Sequence, residues 1–585
     1  MSRVYPVLLF ISLILFTNQK FEFSALEFPS DNWNLDSTNG VYYQLQLQYC
    51  TKITSSKYQS MGLYVPKEYL TCTENSGKYK CEVNKSGKKG SYTAANAPIV
   101  MPVDTPGYAA MEAPTEYNYD DVSKYVSKGI VYAFAGCRGK YTGKDDFIQG
   151  APWAVTDLKS AIRYLRLNKA LIPGDTDRLY TFGMSGGGAQ SCLMGVTGNS
   201  ELFTDYLNDN GAAMTDAEGN KLKDNVKGSQ CWCPITNLDT ADSAYEWNLG
   251  QYYSTDSRAE GTFTKLLSDD LAQEFVKYVN NIKLKDPKGK ELTLTNKNEG
   301  TYYDFLKSII EESLDNFISD TTFPWTPDSG PGPRPRRFLQ ELEETVTATT
   351  YNTLDEYIAA LNSNKTWVNY DKTTKKATIT SIGDFVAKCK NARKNVGAFD
   401  DLNRTQAENY VFGTNYTNGD YAKHFDNYMV NLFKEKQDEY SGKEGWDESY
   451  PSEYLNDMDD TDILGNNITY RLNMYNPMYY LNSYYAGYRK SDVADYFRIN
   501  TGIFQSDTGN VVEMNLYLAL LNYGKKVNFT TVWEKEHVKA ERTGDSDDNF
   551  INWINQIENP DGGESFSSSI YINYFIYLIS LIVLL

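Results

Sequence analysis

Ser185 lies in Gly183-Met184-Ser185-Gly186-Gly187, a G-x-S-x-G pentapeptide that runs on into Gly188-Ala189. A serine hydroxyl is a poor nucleophile until a base takes its proton, and histidine has the pKa for that task. The chain holds two histidines, His424 and His537. His537 follows the apolar run 527–533, where a strand end can present it. His424, in Ala422-Lys423-His424-Phe425, has no such run ahead of it and reads as an ordinary residue of an insertion. His537 is therefore the expected base. A carboxylate at the end of the preceding strand would orient the imidazole. Asp507, thirty residues upstream of His537, fits that place, with helix N-capping as its other reading. The order serine, acid, histidine is the one in which strand–turn–helix hydrolases carry their triad. The chemistry these residues could do is acyl transfer through a covalent serine intermediate.

Such a serine must be lifted from a sheet by a sharp turn, and the elements around it are legible. Residues 179–182 read as a buried strand and 188–196 as a helix, so the pentapeptide is a nucleophile elbow. Gly186, at the helix N-terminus, would offer its N–H to an oxyanion, with a second amide expected from the loop Gly136-Cys137. Runs 99–103 and 130–134 read as central strands, 43–48 and 61–65 as earlier ones, and 152–168 as an amphipathic helix. Strand 497–504, a turn at 505–508, helix 511–522, strand 527–533 and helix 550–557 close the chain. This alternation predicts an α/β fold with a mostly parallel sheet and a site outside the strand C-termini. Residues 256–480 are charged and rich in Asn and Tyr, with helical pieces at 264–282 and 302–318 and a Pro-Gly-Arg loop at 327–335. They read as an inserted lid.

The expected organisation is a signal peptide at 1–25, core at 26–255, lid at 256–484, core again at 485–560 and a C-terminal tail at 561–585. The first 25 residues carry Arg3, then an apolar stretch, then polar residues. The tail, apolar from 570 on, follows a small, polar segment and fits a GPI signal, with a short membrane span as the rival. Eight cysteines and six N-x-S/T sequons, at Asn84, Asn364, Asn403, Asn415, Asn467 and Asn528, fit an extracellular, surface-tethered glycoprotein. The disulfide pairing stays open, and Cys231 with Cys233 lacks the second pair a zinc site needs. A net charge of −19 without a basic run argues against a nucleic-acid partner. The 47 tyrosines, 26 phenylalanines and 9 tryptophans suit ring- or sugar-binding surfaces.

Several runs carry a resemblance. Gly150-Ala151-Pro152-Trp153 with Asp157-Leu158, the elbow through Ser191, and Trp232-Cys233-Pro234-Ile235-Thr236-Asn237-Leu238-Asp239 are similar to subtype B (bacterial-type) tannases and related feruloyl-type esterases. So are Ala244-Tyr245-Glu246-Trp247-Asn248, the stretch from Val532 to His537, and Ala540-Glu541-Arg542-Thr543-Gly544. The resemblance covers most of 40–255 and 485–557. It implies an α/β-hydrolase with a large, mainly helical lid that cleaves esters of phenolic acids without metal or cofactor. In that family a lysine and a glutamate fourteen residues apart in the lid bind the ring hydroxyls. Lys394 and Glu408 have that spacing, and a charged pair on a solvated lid surface is their other reading. The family's turn holds two aspartates two residues apart, the first in the triad and the second on the phenol. This chain has Gln505 and Asp507 there. Asp507 is read as the triad acid, with Gln505 at the substrate. Strict alignment would instead make Asp507 the substrate contact. A serine exopeptidase of the same fold and a catalytically silent, adhesion-type domain are the competing readings.

Overall fold

Nine strands form one sheet in the computed structural model, which describes residues 26–140, 150–327, 349–390, 392–414 and 421–559. They are β1 (Asn34–Asp36), β2 (Val41–Gln48), β3 (Ser60–Pro66), β4 (Ile99–Val103), β5 (Val131–Ala135), β6 (Leu179–Met184), β7 (Gly228–Trp232), β8 (Tyr496–Gly502) and β9 (Lys526–Val532). Their spatial order is β1-β2-β3-β5-β4-β6-β7-β8-β9. The first strands pair antiparallel through β3 and β5, and every pair from β5 to β9 is parallel. This is the α/β-hydrolase arrangement expected from the alternating elements.

Central parallel strands are covered on both faces and so read as continuous apolar runs. β4, Ile-Val-Met-Pro-Val, is buried at every position and fits that rule. β7, Gly-Ser-Gln-Cys-Trp, is buried just as completely without an apolar run, and periodicity does not reveal it. Its polar side chains are bonded instead: Ser229 Oγ donates to the Ser191 carbonyl at 2.7 Å, and Arg498 donates to Gln230 Oε1 at 2.7 Å.

The labelled helices are α1 (Trp153–Leu167), α2 (Gly186–Val196), α3 (Ala241–Asn248), α4 (Phe263–Ile282), α5 (Thr301–Asp320), α6 (Ala407–Val411), α7 (Asn510–Tyr523) and α8 (Ser546–Glu558). Its spacing predicts an amphipathic α1, yet nearly all of that helix is buried. Its polar residues are paired inside: Asp157 takes Arg138 at 2.7 Å, and Asp224 takes Lys159 at 2.7 Å and Arg163 at 2.5 Å. A buried charge survives only when it is compensated in this way.

The insertion between α3 and β8 shares its apolar core with the sheet through α4, α5 and the segment around Trp367, Ile382 and Phe385. It is mainly helical but carries a two-stranded hairpin, Val368–Asp371 with Lys376–Ile379. A smaller cluster of Phe263, Leu267, Met429, Phe433 and Tyr454 holds its outer helices together. A disulfide joins Cys72 and Cys81 across the hairpin Leu70–Asn75 and Lys78–Val83, while Cys50, Cys137, Cys192, Cys231 and Cys233 are buried thiols. The expected signal segment 1–25, the tail 561–585, the Asn415 sequon and most of the Pro-Gly-Arg loop lie outside the described residues. Among the described residues no helix is long and apolar enough to cross a membrane.

Candidate active site

β6 ends at Met184 and α2 begins at Gly186, leaving Ser185 alone at the turn with φ 59° and ψ −123°. A side chain held there is strained, and such strain persists only where the surroundings over-determine it. Two glycines make the turn sterically possible. A Cβ on Gly187 would stand 2.1 Å from the Val103 carbonyl oxygen, and one on Gly186 would stand 2.5 Å from the Tyr108 nitrogen. The Ser185 N–H donates to the Trp232 carbonyl at 2.9 Å, which ties the elbow to the end of β7.

His537 comes from the loop after β9 and meets the serine. Its Nε2 is 2.8 Å from Ser185 Oγ. Its Nδ1 is 2.7 Å from Gln505 Oε1. The geometry therefore corrects the expected third member. Gln505, rather than Asp507, receives the imidazole Nδ1 proton, and Gln505 is a partner of the histidine instead of a substrate contact. An amide oxygen accepts a hydrogen bond as a carboxylate does, so no shift of the turn is needed to orient the ring. Asp507, two residues on and half-buried, makes no hydrogen bond among the described residues, and its charge acts on His537 at longer range. Burial lowers the pKa of His537; the Asp507 carboxylate opposes that shift and Lys394 adds to it. A neutral imidazole with Nδ1–H committed to Gln505 has its Nε2 lone pair aimed at the serine proton.

The oxyanion side holds a second correction. The Cys137 N–H donates to the Met111 carbonyl at 2.9 Å, and Met111 N–H returns the bond at 2.9 Å. That amide is spent. The loop against Gly186 is instead Thr105-Pro106-Gly107-Tyr108, which follows β4, and the Gly186 Cβ position is 3.2 Å from the Gly107 nitrogen. Gly186 and Gly107 are both first-turn residues with no carbonyl behind them to bond. Neither N–H has an acceptor among the described residues, so these two amides form the candidate oxyanion pocket. Tyr108 fixes the loop by donating its hydroxyl to the Ile235 carbonyl.

Lys394 stands near His537, and Glu408 near Tyr108 of the oxyanion loop. The segment bearing Lys394 hangs from α3: Asp242 accepts the Phe399 and Asp400 amides at 2.9 and 3.0 Å. Tyr245 Oη accepts the Lys394 amide at 3.3 Å and donates to the Ser506 carbonyl at 3.2 Å. The Lys394 ammonium lies 3.9 Å from the Phe399 ring centroid and is felt by His537. Glu408 is buried on α6, beside the oxyanion loop, where its charge acts on Tyr108 and Lys140. Asn409 bonds Asp400 at 2.8 Å and so joins the two segments. The solvated-surface reading of this pair is wrong for Glu408, which is 3 % exposed. His424 stands apart. Its Nδ1 is 2.6 Å from Asp400 and its ring stacks on Tyr454.

Two buried groups behind the site have no signature in the sequence. Glu513, in the first turn of α7, accepts from Gln505 Nε2, and Lys390 donates to the Gln505 carbonyl at 2.6 Å.

The BD-FAE family model matches residues 91–286, which include Ser185 and both segments of the oxyanion pocket. A tannase from Fusobacterium nucleatum is similar in structure, with TM-score 0.63 and 26 % identity, over 89 % of this chain and 95 % of that one. A tannase from Lactobacillus plantarum aligns with TM-score 0.61 and 22 % identity, over 88 % and 94 %. A tannin acyl hydrolase in complex with ethyl gallate gives TM-score 0.61 and 23 % identity over the same shares. At those last two identities the likeness speaks to the fold. No curated protein sequence matches the chain. Together with the order of the sheet and the serine at its crest, these likenesses make the chain a tannase- and feruloyl-esterase-like carboxylic ester hydrolase of the α/β-hydrolase fold.

Proposed function

We propose that the chain is a serine esterase for esters of phenolic acids, acting through Ser185, His537 and Gln505. The observation that carries this reading is the 2.8 Å contact of Ser185 Oγ with an imidazole whose other nitrogen is already bonded. His537 takes the serine proton as Ser185 Oγ attacks the ester carbonyl. The Gly186 and Gly107 amides receive the developing oxyanion, each such donor contributing about 3–4 kcal/mol of barrier lowering. The imidazolium then protonates the leaving alcohol, and water activated by the same histidine releases the acid.

The acyl group would be an aromatic acid with ring hydroxyls, as in the ethyl gallate complex of the structural relative. Asp507 and Lys394 lie close enough to act on His537 and Glu408 close enough to act on Tyr108, and the Asp507 carboxylate, bonded to no group among the described residues, is free to accept from a phenol. Asp507 thus takes the substrate-side role that strict alignment with the tannases assigns to it. Export by the 1–25 segment and tethering by the 561–585 tail are part of the same proposal, supported by the sequons and the cysteine usage. The deciding experiment is a panel of methyl gallate, methyl ferulate, methyl benzoate and aminoacyl amides, run with Ser185→Ala as control. Turnover confined to the amides would overturn the esterase reading in favour of an exopeptidase.

A further inference from the structure

We propose that Glu513 is a positioning residue for catalysis: it locks the Gln505 side-chain amide with its oxygen toward His537 and sets a negative charge one hydrogen bond behind that oxygen. The proposal rests on Ser185 and His537 being the reacting pair.

A glutamine beside a catalytic histidine is ambiguous in a way an aspartate is not. Its amide ends in one acceptor and one donor of nearly equal size, and rotating it by half a turn exchanges them. With the oxygen forward, Nδ1 of His537 carries the proton and Nε2 is free to act as base. With the NH2 forward, Nδ1 must accept, the proton moves to Nε2, and the base is lost. In serine proteases, an amide that imposes the wrong tautomer lowers kcat by about 10⁴. Something must therefore choose the orientation.

The far end of Gln505 meets two acceptors. Its Nε2 donates to Glu513 Oε1 and to Thr501 Oγ1, the latter at 2.5 Å. The Thr501 hydroxyl has acceptors for its one proton in Glu513 Oε1 at 3.2 Å and Cys233 Sγ at 3.7 Å, so toward Gln505 it accepts. A carboxylate has no proton to offer. Turning the amide round would press its oxygen against two oxygens in a site where Gln505, Thr501 and Glu513 are all fully buried. Thr501 alone could rotate its hydroxyl to suit either orientation; Glu513 could not. The selection belongs to Glu513.

The charge also matters. As His537 becomes imidazolium, a lone amide dipole stabilises it less than a carboxylate would. Glu513 lies along the same chain of hydrogen bonds, where alignment strengthens each member. Lys390, also buried, favours that charge, and its ammonium holds the Gln505 carbonyl and Asn510 Oδ1. Burial pushes Glu513 up to about 7 and Lys390 down to about 7, each softened by the other's charge. As a structural element the carboxylate is poor, because Glu513 Oε2 is buried without a hydrogen-bond partner among the described residues. A buried carboxylate of that kind costs stability, although removing it alone also strips Gln505 Nε2 of an acceptor and Lys390 of a counter-charge.

The test compares Glu513→Leu, Glu513→Gln and the swap Gln505→Glu with Glu513→Gln. The readouts are the rate at which a fluorophosphonate labels Ser185, kcat and KM for methyl gallate, and the melting temperature. Glu513→Leu should melt lower than the parent, having stripped Gln505 Nε2 of an acceptor, but the folded enzyme should also lose about a hundredfold or more in labelling rate and kcat, with KM within about threefold. Glu513→Gln should lose less, because its amide oxygen can still hold Gln505 while the charge is gone. The swap puts the carboxylate next to His537 and an amide behind it, and should recover labelling to within about tenfold of the parent. Unchanged labelling in Glu513→Leu, or a folded swap variant no better than Glu513→Leu, would overturn the proposal. Failure of both to fold would make Glu513 structural and overturn it too. A parent chain that labels but leaves methyl gallate untouched would sink the substrate assignment alone, since labelling rates still decide this point. A parent inert to the probe counts against both.

Discussion

His537 gives its Nδ1 proton to an amide oxygen, that of Gln505 at 2.7 Å, and among the described residues no carboxylate stands at hydrogen-bonding distance from the ring. A neutral partner fixes the tautomer but adds no charge to favour the imidazolium. Burial then lowers the pKa of His537, and the Asp507 charge at longer range only partly opposes it.

The pH dependence follows from that sign. The imidazolium cannot accept the serine proton, so activity falls as pH drops through the His537 pKa. Because the shift is downward from 6.5, the acid limb of kcat/KM should lie below pH 6.5. A pH–rate profile on a neutral ester reads it directly. A midpoint above 6.5 that persists in Glu513→Gln would mean that a carboxylate, not the Gln505 amide, controls the ring; one that Glu513→Gln abolishes would be the titration of Glu513, which burial pushes up to about 7.

The two histidines should separate cleanly. Ser185→Ala and His537→Ala should each lower ester turnover at least about a thousandfold with the fold intact. His424→Ala should leave kcat near the parent value but destabilise the protein by at least about 2 kcal/mol, since it leaves buried Asp400 short of a donor. Thermal melts alongside kcat check both halves. Loss of turnover in folded His424→Ala would contradict the placement of the base.

The oxyanion pocket gives a sharper contrast. Gly186→Ala drives a Cβ to 2.5 Å from the Tyr108 nitrogen and must displace the loop that offers Gly107. Its kcat should fall about a hundredfold or more, the scale of losing one oxyanion donor. A Cβ on Gly107 would meet nothing nearer than 3.8 Å, although its φ of +54° carries strain of about 1–2 kcal/mol. Gly107→Ala should therefore cost stability more than kcat. Equal kcat losses in the two variants would place the pocket elsewhere.

These relationships were unequally visible in the sequence. The elbow, its flanking strand and helix, and His537 were legible because local chemistry dictates them: glycines where a side chain would collide, and apolar runs where strands are covered on both faces. β7 was hidden because its burial is balanced by polar pairs such as Ser229 with Ser191, which leave no apolar period to read. Cys137 sits in a glycine-bordered loop at a strand end, the right kind of place, but whether an amide is free depends on a distant partner, here Met111. The free amide at Gly107 did have a signal, the Pro106-Gly107 turn after strand 99–103. The role of Gln505 was out of reach. An amide can replace a carboxylate only if something holds it, and Glu513, eight residues on in an unremarkable helix, reveals its side only in three dimensions.

The last contrast concerns Asp507. A triad acid acts through His537 on every ester alike, whereas a substrate contact discriminates among rings. With Gln505 on the imidazole, the proposed function puts Asp507 in the second kind. Asp507→Asn should lower kcat/KM for methyl gallate by about 1–3 kcal/mol, the cost of weakening a buried hydrogen bond to a charged partner. Lys394→Ala should do the same. Neither should change kcat/KM for methyl benzoate by more than about threefold, because that ring offers no hydroxyl to lose. Asp507→Asn carries one further mark. Its charge raises the His537 pKa, so its removal should move the acid limb to still lower pH, while Lys394→Ala, removing an opposing charge, should move it upward. Benzoate and gallate falling together in Asp507→Asn would return Asp507 to the triad.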